Sequence, residues 1–197
     1  MKQDVHDTES NSITGKGRQR TGDEWKSAAD KEEIQKKMEA AATPGPAHNA
    51  LEVFVGNWKA EVKCWMEPGG PPNVSQATAK TAWIMNGRFV QEEFHGEMMG
   101  KAFHGRSLMG FDNTKQKFNS VWVSDVQTSM FTSEGKGENG NKIITLEGKT
   151  DCAMTGRRDV PMKTVFRVLS PDKHVFEMYD VSRGENAKTM EIIYTRQ

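Results

Sequence analysis

The stretch VFVGNWKAEVKCW, residues 53–65, alternates from Trp58 onward: Trp58, Ala60, Val62, Cys64 and then Met66 fall on one face, and Lys59, Glu61, Lys63 and Trp65 on the other. A period of two with one apolar face predicts a half-buried β-strand. From Leu51 to the C-terminus the text keeps this character, as short alternating segments separated by turn residues. About ten strands are expected, near 57–66, 74–85, 88–97, 102–111, 117–126, 128–137, 142–150, 160–169, 173–182 and 187–196. Their even spacing and short connections favour an all-β, antiparallel, up-and-down barrel over a Greek key. No internal repeat is evident.

Two hairpins fix a register. A two-residue turn at Met99-Gly100 places His95 opposite His104, Glu93 opposite Arg106, Phe94 opposite Gly105 and Gly96 opposite Phe103. Opposite charges then pair and each aromatic covers a glycine. A turn at Gly184-Glu185 would place Tyr179 opposite Met190 and Val175 opposite Tyr194.

Ahead of the strands the chain reads differently. Residues 1–20 carry only Val5 and Ile13 as sizeable apolar side chains after Met1, too few to offset the entropy of ordering, and are expected to be a disordered tail. Residues 21–46 hold a Thr21/Glu24 capping box, a run of helix formers and a Thr43-Pro44-Gly45-Pro46 stop, which predicts a helix near 22–42 followed by a proline-rich linker. Its narrow stripe of Trp25, Ala28, Ala29, Ile34, Met38 and Ala41 suits leaning on the barrel or on a protein partner. Residues 47–197 are expected to form the barrel domain.

Composition excludes several classes. In 197 residues, 27 Lys and Arg balance 27 Asp and Glu, so no overall field attracts nucleic acid or an anionic membrane. The two cysteines, Cys64 and Cys152, lack disulfide-framework or metal-motif spacing. No signal-peptide run opens the chain and no stretch of 18 apolar residues occurs, so the expected setting is cytoplasmic and away from membranes.

Closing ten strands into a barrel requires the first and last to meet, and it removes exposed edges. Trp58 at the barrel floor and Arg196 in the closing strand EIIYTRQ form the expected closure pair, guanidinium on indole. A Gly-x-Trp step opening the first strand with an arginine in the last resembles the calycin superfamily of lipocalins, fatty-acid-binding proteins and nitrobindin-like barrels. The phrases TPGPAHNAL, VGNWKAEVKCW, NGRFVQEEFHGEMMGKAFHGRSLMGFDN and EIIYTR are similar to an uncharacterised, largely bacterial lipocalin-like family, over about residues 38–196. The resemblance implies a lipocalin-like barrel and lends no activity. That family's Tyr-Asp-Asn step stands here as Phe111-Asp112-Asn113. Its Trp-x-Asp step is displaced, with Trp122-Val123-Ser124 preceding Asp125. One residue of displacement turns a carboxylate to the other face of a strand. Some calycin barrels bind haem through a histidine, but none of His48, His95, His104 and His174 sits in a haem-specific motif.

Chemical motifs are sparse. His95, His104 and Glu93 could supply a two-histidine, one-carboxylate metal set, although Arg106 competes for Glu93, and the alternative is a polar outer face. No Gly-x-Ser-x-Gly elbow occurs, Cys64 lies on an apolar strand face, and Glu92 and Glu93 point to opposite faces. His48, between helix and first strand, suits a hydrogen bond to a backbone carbonyl that pins the linker, with Leu51 and Phe54 docking under the barrel. The expected function is non-enzymatic binding of a small, mainly apolar molecule, without cofactor or metal. Its lumen set is Val62, Cys64, Trp83, Phe94, Phe103, Met109, Trp122, Met162, Phe166 and Tyr179, and the twelve methionines suit an adaptable cavity. The alternatives are an enzyme using His48, Glu93 or Asp125 as base, with His95 and His104 as further polar contacts, or an interaction module with a filled barrel.

Overall fold

The computed structural model describes residues 28–67, 69–153, 155–184 and 186–197. Ten antiparallel strands close into one barrel: β1 (Gly56–Cys64), β2 (Asn73–Ile84), β3 (Phe89–Met98), β4 (Lys101–Asp112), β5 (Lys117–Ser124), β6 (Phe131–Glu138), β7 (Ile143–Cys152), β8 (Arg157–Ser170), β9 (Lys173–Asp180) and β10 (Lys188–Arg196). Each strand pairs with its sequence neighbour, and β1 pairs with β10 to close the circle. The meander follows from short turns that take positive φ where the chain reverses. At Met99 and Gly100, φ is 55° and 76°, the backbone of a two-residue hairpin turn. The β3–β4 register that follows pairs His95 with His104, Glu93 with Arg106, Phe94 with Gly105 and Gly96 with Phe103, as the sequence predicts.

The second hairpin departs from expectation. A short 3-10 turn at Val181–Arg183 and a register shift between Lys188 and Met190 pair Tyr179 with Lys188, Met178 with Met190 and His174 with Tyr194. Asp180 drives the difference, because its carboxylate accepts the Ser182 amide at 3.1 Å and Arg157 Nη1 at 2.8 Å, coiling the chain before the reversal. A one-residue change of pairing inverts which face a side chain takes. Tyr179 therefore lies on the outside, its ring 4.7 Å from Lys163 Nζ, and is no part of the lumen.

Closure runs through two residues. Trp58 pairs with Arg196 across β1 and β10, is fully buried, and has the guanidinium 4.2 Å from its ring centroid. The indole Nε1 donates to the Phe54 carbonyl at 2.8 Å. Arg196 donates from Nη1 to Val55 O (2.8 Å), from Nη2 to Val53 O (3.2 Å) and Pro171 O (2.8 Å), and from Nε to Asp172 (3.1 Å). Gly56 makes room: a Cβ there would stand 2.3 Å from Arg196 Nη1, and its φ of +141° disfavours any side chain. Leu51 and Phe54, on a 3-10 turn over Ala50–Phe54, are buried with Val90, Met109, Phe118, Ile144 and Leu146, so this turn stops one end of the barrel.

Helix α1 (Ala28–Ala42) precedes a one-turn helix α2 (Pro46–Asn49). The compact unit that holds the barrel begins at Met38, whose side chain is exposed, and residues 28–37 fall outside it. Within 28–37 the exposed ion pairs Glu32–Lys36 and Glu33–Lys37 support the helix locally. The helix C-terminus is held at Asn113, whose Nδ2 donates to the carbonyls of Ala40, Ala41 and Thr43 at 3.1, 3.2 and 2.8 Å. Asp112 beside it accepts the amides of Thr114 and Lys115, so the Phe-Asp-Asn phrase is a turn and a helix clasp. The expected tail at 1–20, the capping box and Trp25 lie outside the described residues.

Candidate functional site

Strand parity decides what faces the lumen. Trp58, Ala60 and Val62 of β1 are buried, and the register carries that face round the barrel: Thr81 of β2 pairs with Glu92 of β3, which pairs with Ser107 of β4. On β10, Tyr194 pairs with Ala60 on one side and with His174 of β9 on the other. These polar side chains meet around a small cavity of about 40 Å³, lined by Phe54, Thr81, Val90, Glu92, Ser107, Met109, Phe166, His174 and Tyr194. The cavity draws its walls from both of the larger apolar clusters, Tyr194 from one and Phe54, Val90 and Met109 from the other. One buried water needs roughly 10–15 Å³ of such space, so the void accepts a group of a few atoms.

Glu92 is half-buried on the inward face of β3 and lines the cavity. Burial pushes its carboxyl up to about 7, and a hydrogen bond from the Tyr194 hydroxyl opposes that only in part. The same burial and the adjacent carboxylate hold the Tyr194 phenol well above its ordinary range. His174 stacks on Tyr194 with ring centroids 4.3 Å apart and meets Trp58 and Phe54 edge-on at 4.5 and 5.1 Å. Burial, helped by the charge of Arg196, lowers His174 to about 3, so the imidazole is neutral. Its Nδ1 is buried without a hydrogen-bond partner. A carboxyl that titrates near neutrality beside an unsatisfied imidazole nitrogen is costly to hold inside a barrel and marks a candidate site.

The expected lumen residues divide in two. Val62, Cys64, Trp83, Phe94, Phe103, Met109, Trp122, Met162 and Phe166 share the inward parity, and of these Met109 and Phe166 line the cavity. Trp122 fills the space over Gly105, and Phe94 meets Trp122 and Phe103 at centroid distances of 6.2 Å, so the lumen is largely packed. Cys64, Phe103, Trp122, Phe176 and Met190 remain half-buried around the apolar cluster of Trp58 and Tyr194. Trp83 sits at the stopped end, where its indole donates to Glu52. Burial raises the Cys64 thiol, which argues against thiolate chemistry.

The candidate polar contacts lie away from the cavity. Glu93 pairs with Arg106 at 2.8 Å. His95 and His104 stack at 4.4 Å, and Asp125 accepts the His104 amide at 3.1 Å. Among the described residues no three His, Cys, Asp or Glu side chains are grouped to hold a metal ion. His48 is buried in the linker, where Nδ1 accepts the Gly45 amide at 3.0 Å and the ring bonds the Phe111 backbone, a structural clasp. A wider concavity of about 570 Å³ lies outside, over β4–β7, where Glu134 is already paired with Lys115 and Lys117.

Glu92 and Tyr194 are absent from the sequence-based site. The signal was present: Phe94 is expected inward, and two residues earlier on the same strand lies Glu92. Likewise Arg196 faces Trp58, so Tyr194, two residues before it, shares that face.

The model of a family described as a protein of unknown function, DUF1579, matches residues 43–196. The chain belongs to that family. The DUF1579 match spans the linker and all ten strands. Among solved structures, the crystal structure of Rv2717c from M. tuberculosis resembles this chain with a TM-score of 0.57 at 15% identity, covering 79% of this chain and 99% of that one. That likeness is one of fold. A redesigned β-barrel, b11L5F_LGL, gives a TM-score of 0.39 at 10% identity, covering 75% of this chain and 95% of that one. No curated protein matches the sequence significantly. No helix among the described residues is long and apolar enough to cross a membrane.

Proposed function

We propose that this DUF1579 barrel is a non-enzymatic, lipocalin-like carrier that binds a small, mainly apolar molecule in its lumen. The observation that carries the reading is the Glu92, Tyr194 and His174 cluster around a small cavity that is walled elsewhere by Phe54, Val90, Met109 and Phe166. Binding sites of this kind combine an apolar wall with a few convergent polar groups that fix orientation. The half-buried Cys64, Phe103, Trp122, Phe176 and Met190 offer further apolar surface, and methionine adapts to irregular shapes. A wholly filled barrel serving as an interaction module fits less well, because packing such a barrel gives no reason to bury an acid without a basic partner.

An enzymatic use of the same cavity is the second reading, favoured by the Glu92 carboxyl at about 7, where a general acid or base works best. His48, Glu93 and Asp125 are not needed for it. Native mass spectrometry of protein purified from its own host tests the binding reading. A discrete small-molecule increment released on denaturation supports it; a bare chain in every gently handled preparation counts against it.

A further inference from the structure

The cavity that the binding reading rests on has an imbalance of charge and of hydrogen-bonding capacity. Its polar lining consists of the Glu92 carboxyl, the hydroxyls of Thr81, Ser107 and Tyr194, and the ring of His174. Among the described residues no lysine or arginine lines it. The influences on Glu92 are burial and the Tyr194 hydroxyl alone, with no cation acting on it. The Arg196 guanidinium is felt by His174 but is committed elsewhere, its nitrogens donating to Val53, Val55, Pro171 and Asp172.

Acceptors therefore outnumber donors. Each carboxyl oxygen can accept about two hydrogen bonds, and Tyr194, while it donates one to Glu92, keeps lone pairs to offer. His174 is neutral, and its Nδ1 has no hydrogen-bond partner among the described residues. A carboxylate inside a low-dielectric lumen is stabilised by an opposite charge within a few ångströms, and the described residues that line the cavity supply none.

We infer that the subsite at Glu92 accepts a cationic, hydrogen-bond-donating head, of the kind a primary alkylammonium carries, while the rest of the ligand lies against apolar side chains. The inference depends on lumen binding and adds the class of ligand. The cavity of about 40 Å³ suits an ammonium and its first carbon, not a bulky headgroup. Binding completes the ion pair, so Glu92 releases the proton it holds and Tyr194 continues to donate to the carboxylate. An alkylammonium stays charged throughout, since its pKa lies near that of lysine, about 10.4. Tyr194 and His174 are the other titratable groups facing Glu92, and both keep their protonation state at neutral pH.

Calorimetric titration of the whole protein at pH 7 with n-butylamine, n-butanol and n-butyrate tests the inference. All three present the same short chain with different heads. The amine should bind at least tenfold more tightly than the alcohol, and butyrate most weakly. Comparing two buffers of different ionisation enthalpy should show about half a proton released per amine bound, as expected of a carboxyl half-protonated at that pH. Glu92→Gln keeps the shape, removes the buried charge and should abolish both the preference and the proton release while butanol still binds. Tyr194→Phe should retain a reduced preference. Equal binding of the three heads, or an amine preference that survives in Glu92→Gln, overturns the headgroup inference and leaves lumen binding standing. Failure of all three to bind overturns both.

Discussion

Tyr194, on the closing strand, donates a hydrogen bond from its phenol hydroxyl to the carboxyl of Glu92 on β3, inside the lumen of the closed barrel. The pair joins distant parts of the chain through a hydrogen bond that only the closed barrel can form. Its cost and its placement both bear on function, because a carboxyl held at about 7 is charged or neutral according to what shares the cavity.

Glu92 makes a stability contribution of known sign. Its folded pKa lies above the unfolded value of 4.5, so its favourable share is fully present below pH 4.5 and is lost as pH rises through about 7. Glu92→Gln should match the wild type near pH 4.5 and gain on it by about 3 kcal/mol at pH 8, since each tenfold change in proton affinity is worth about 1.4 kcal/mol. Urea unfolding at the two pH values measures this. A difference between variant and wild type that does not change with pH would show that the carboxyl is not buried as described.

His174 works in the opposite direction. Its pKa falls from 6.5 to about 3 on folding, so stability is lost as pH drops below 6.5, where the unfolded chain takes up a proton that the folded barrel refuses. Between pH 4.5 and 6.5 the two slopes cancel. In that window His174→Phe, which keeps an aromatic against Tyr194 and Trp58, should grow more stable as pH falls, whereas Glu92→Gln should grow less stable. Parallel pH profiles for the two variants would contradict the assignment.

The closure pair sets a third expectation. Trp58→Ala removes a fully buried indole, its hydrogen bond to Phe54 and the surface under Arg196, and should cost about 3–5 kcal/mol in denaturant unfolding. Gly56→Ala should also destabilise, because the added methyl meets Arg196 Nη1 at a φ that alanine disfavours. A loss below about 1 kcal/mol for Trp58→Ala would remove it from the closure.

Much of this architecture is legible in the residues. Alternation from Trp58, even turn spacing and the Met99-Gly100 reversal suffice for the ten-stranded meander and for the pairing of β3 with β4, since a period of two and a two-residue turn leave one register. The β9–β10 hairpin was not legible, because Asp180 winds Val181–Arg183 into a 3-10 turn through contacts with Ser182 and Arg157 that no local pattern announces. That shift moved Tyr179 outside. The site was half legible: parity from Phe94 and Arg196 reaches Glu92 and Tyr194, but a carboxylate on a strand is ordinarily assigned to the solvent face, and no local pattern brings Glu92 to Tyr194. Only the closed barrel shows that these two meet. The outward pairing of Glu93 with Arg106 and the stacking of His95 on His104 show the converse, polar groups that pattern brings together without enclosing anything.

The measurement that bears most directly on lumen binding is a titration of the native protein with N-phenyl-1-naphthylamine, a neutral fluorophore that brightens in apolar surroundings, alongside Ser107→Val. Ser107 lines the cavity between Glu92 and Trp122, and valine fills the void with little change to the strand. Lumen binding gives saturable binding near one probe per wild-type chain, a rise in melting temperature with probe concentration, and binding weakened at least tenfold in Ser107→Val at unchanged fold. Fluorescence that rises only as the protein unfolds, or equal binding by wild type and Ser107→Val, would contradict it.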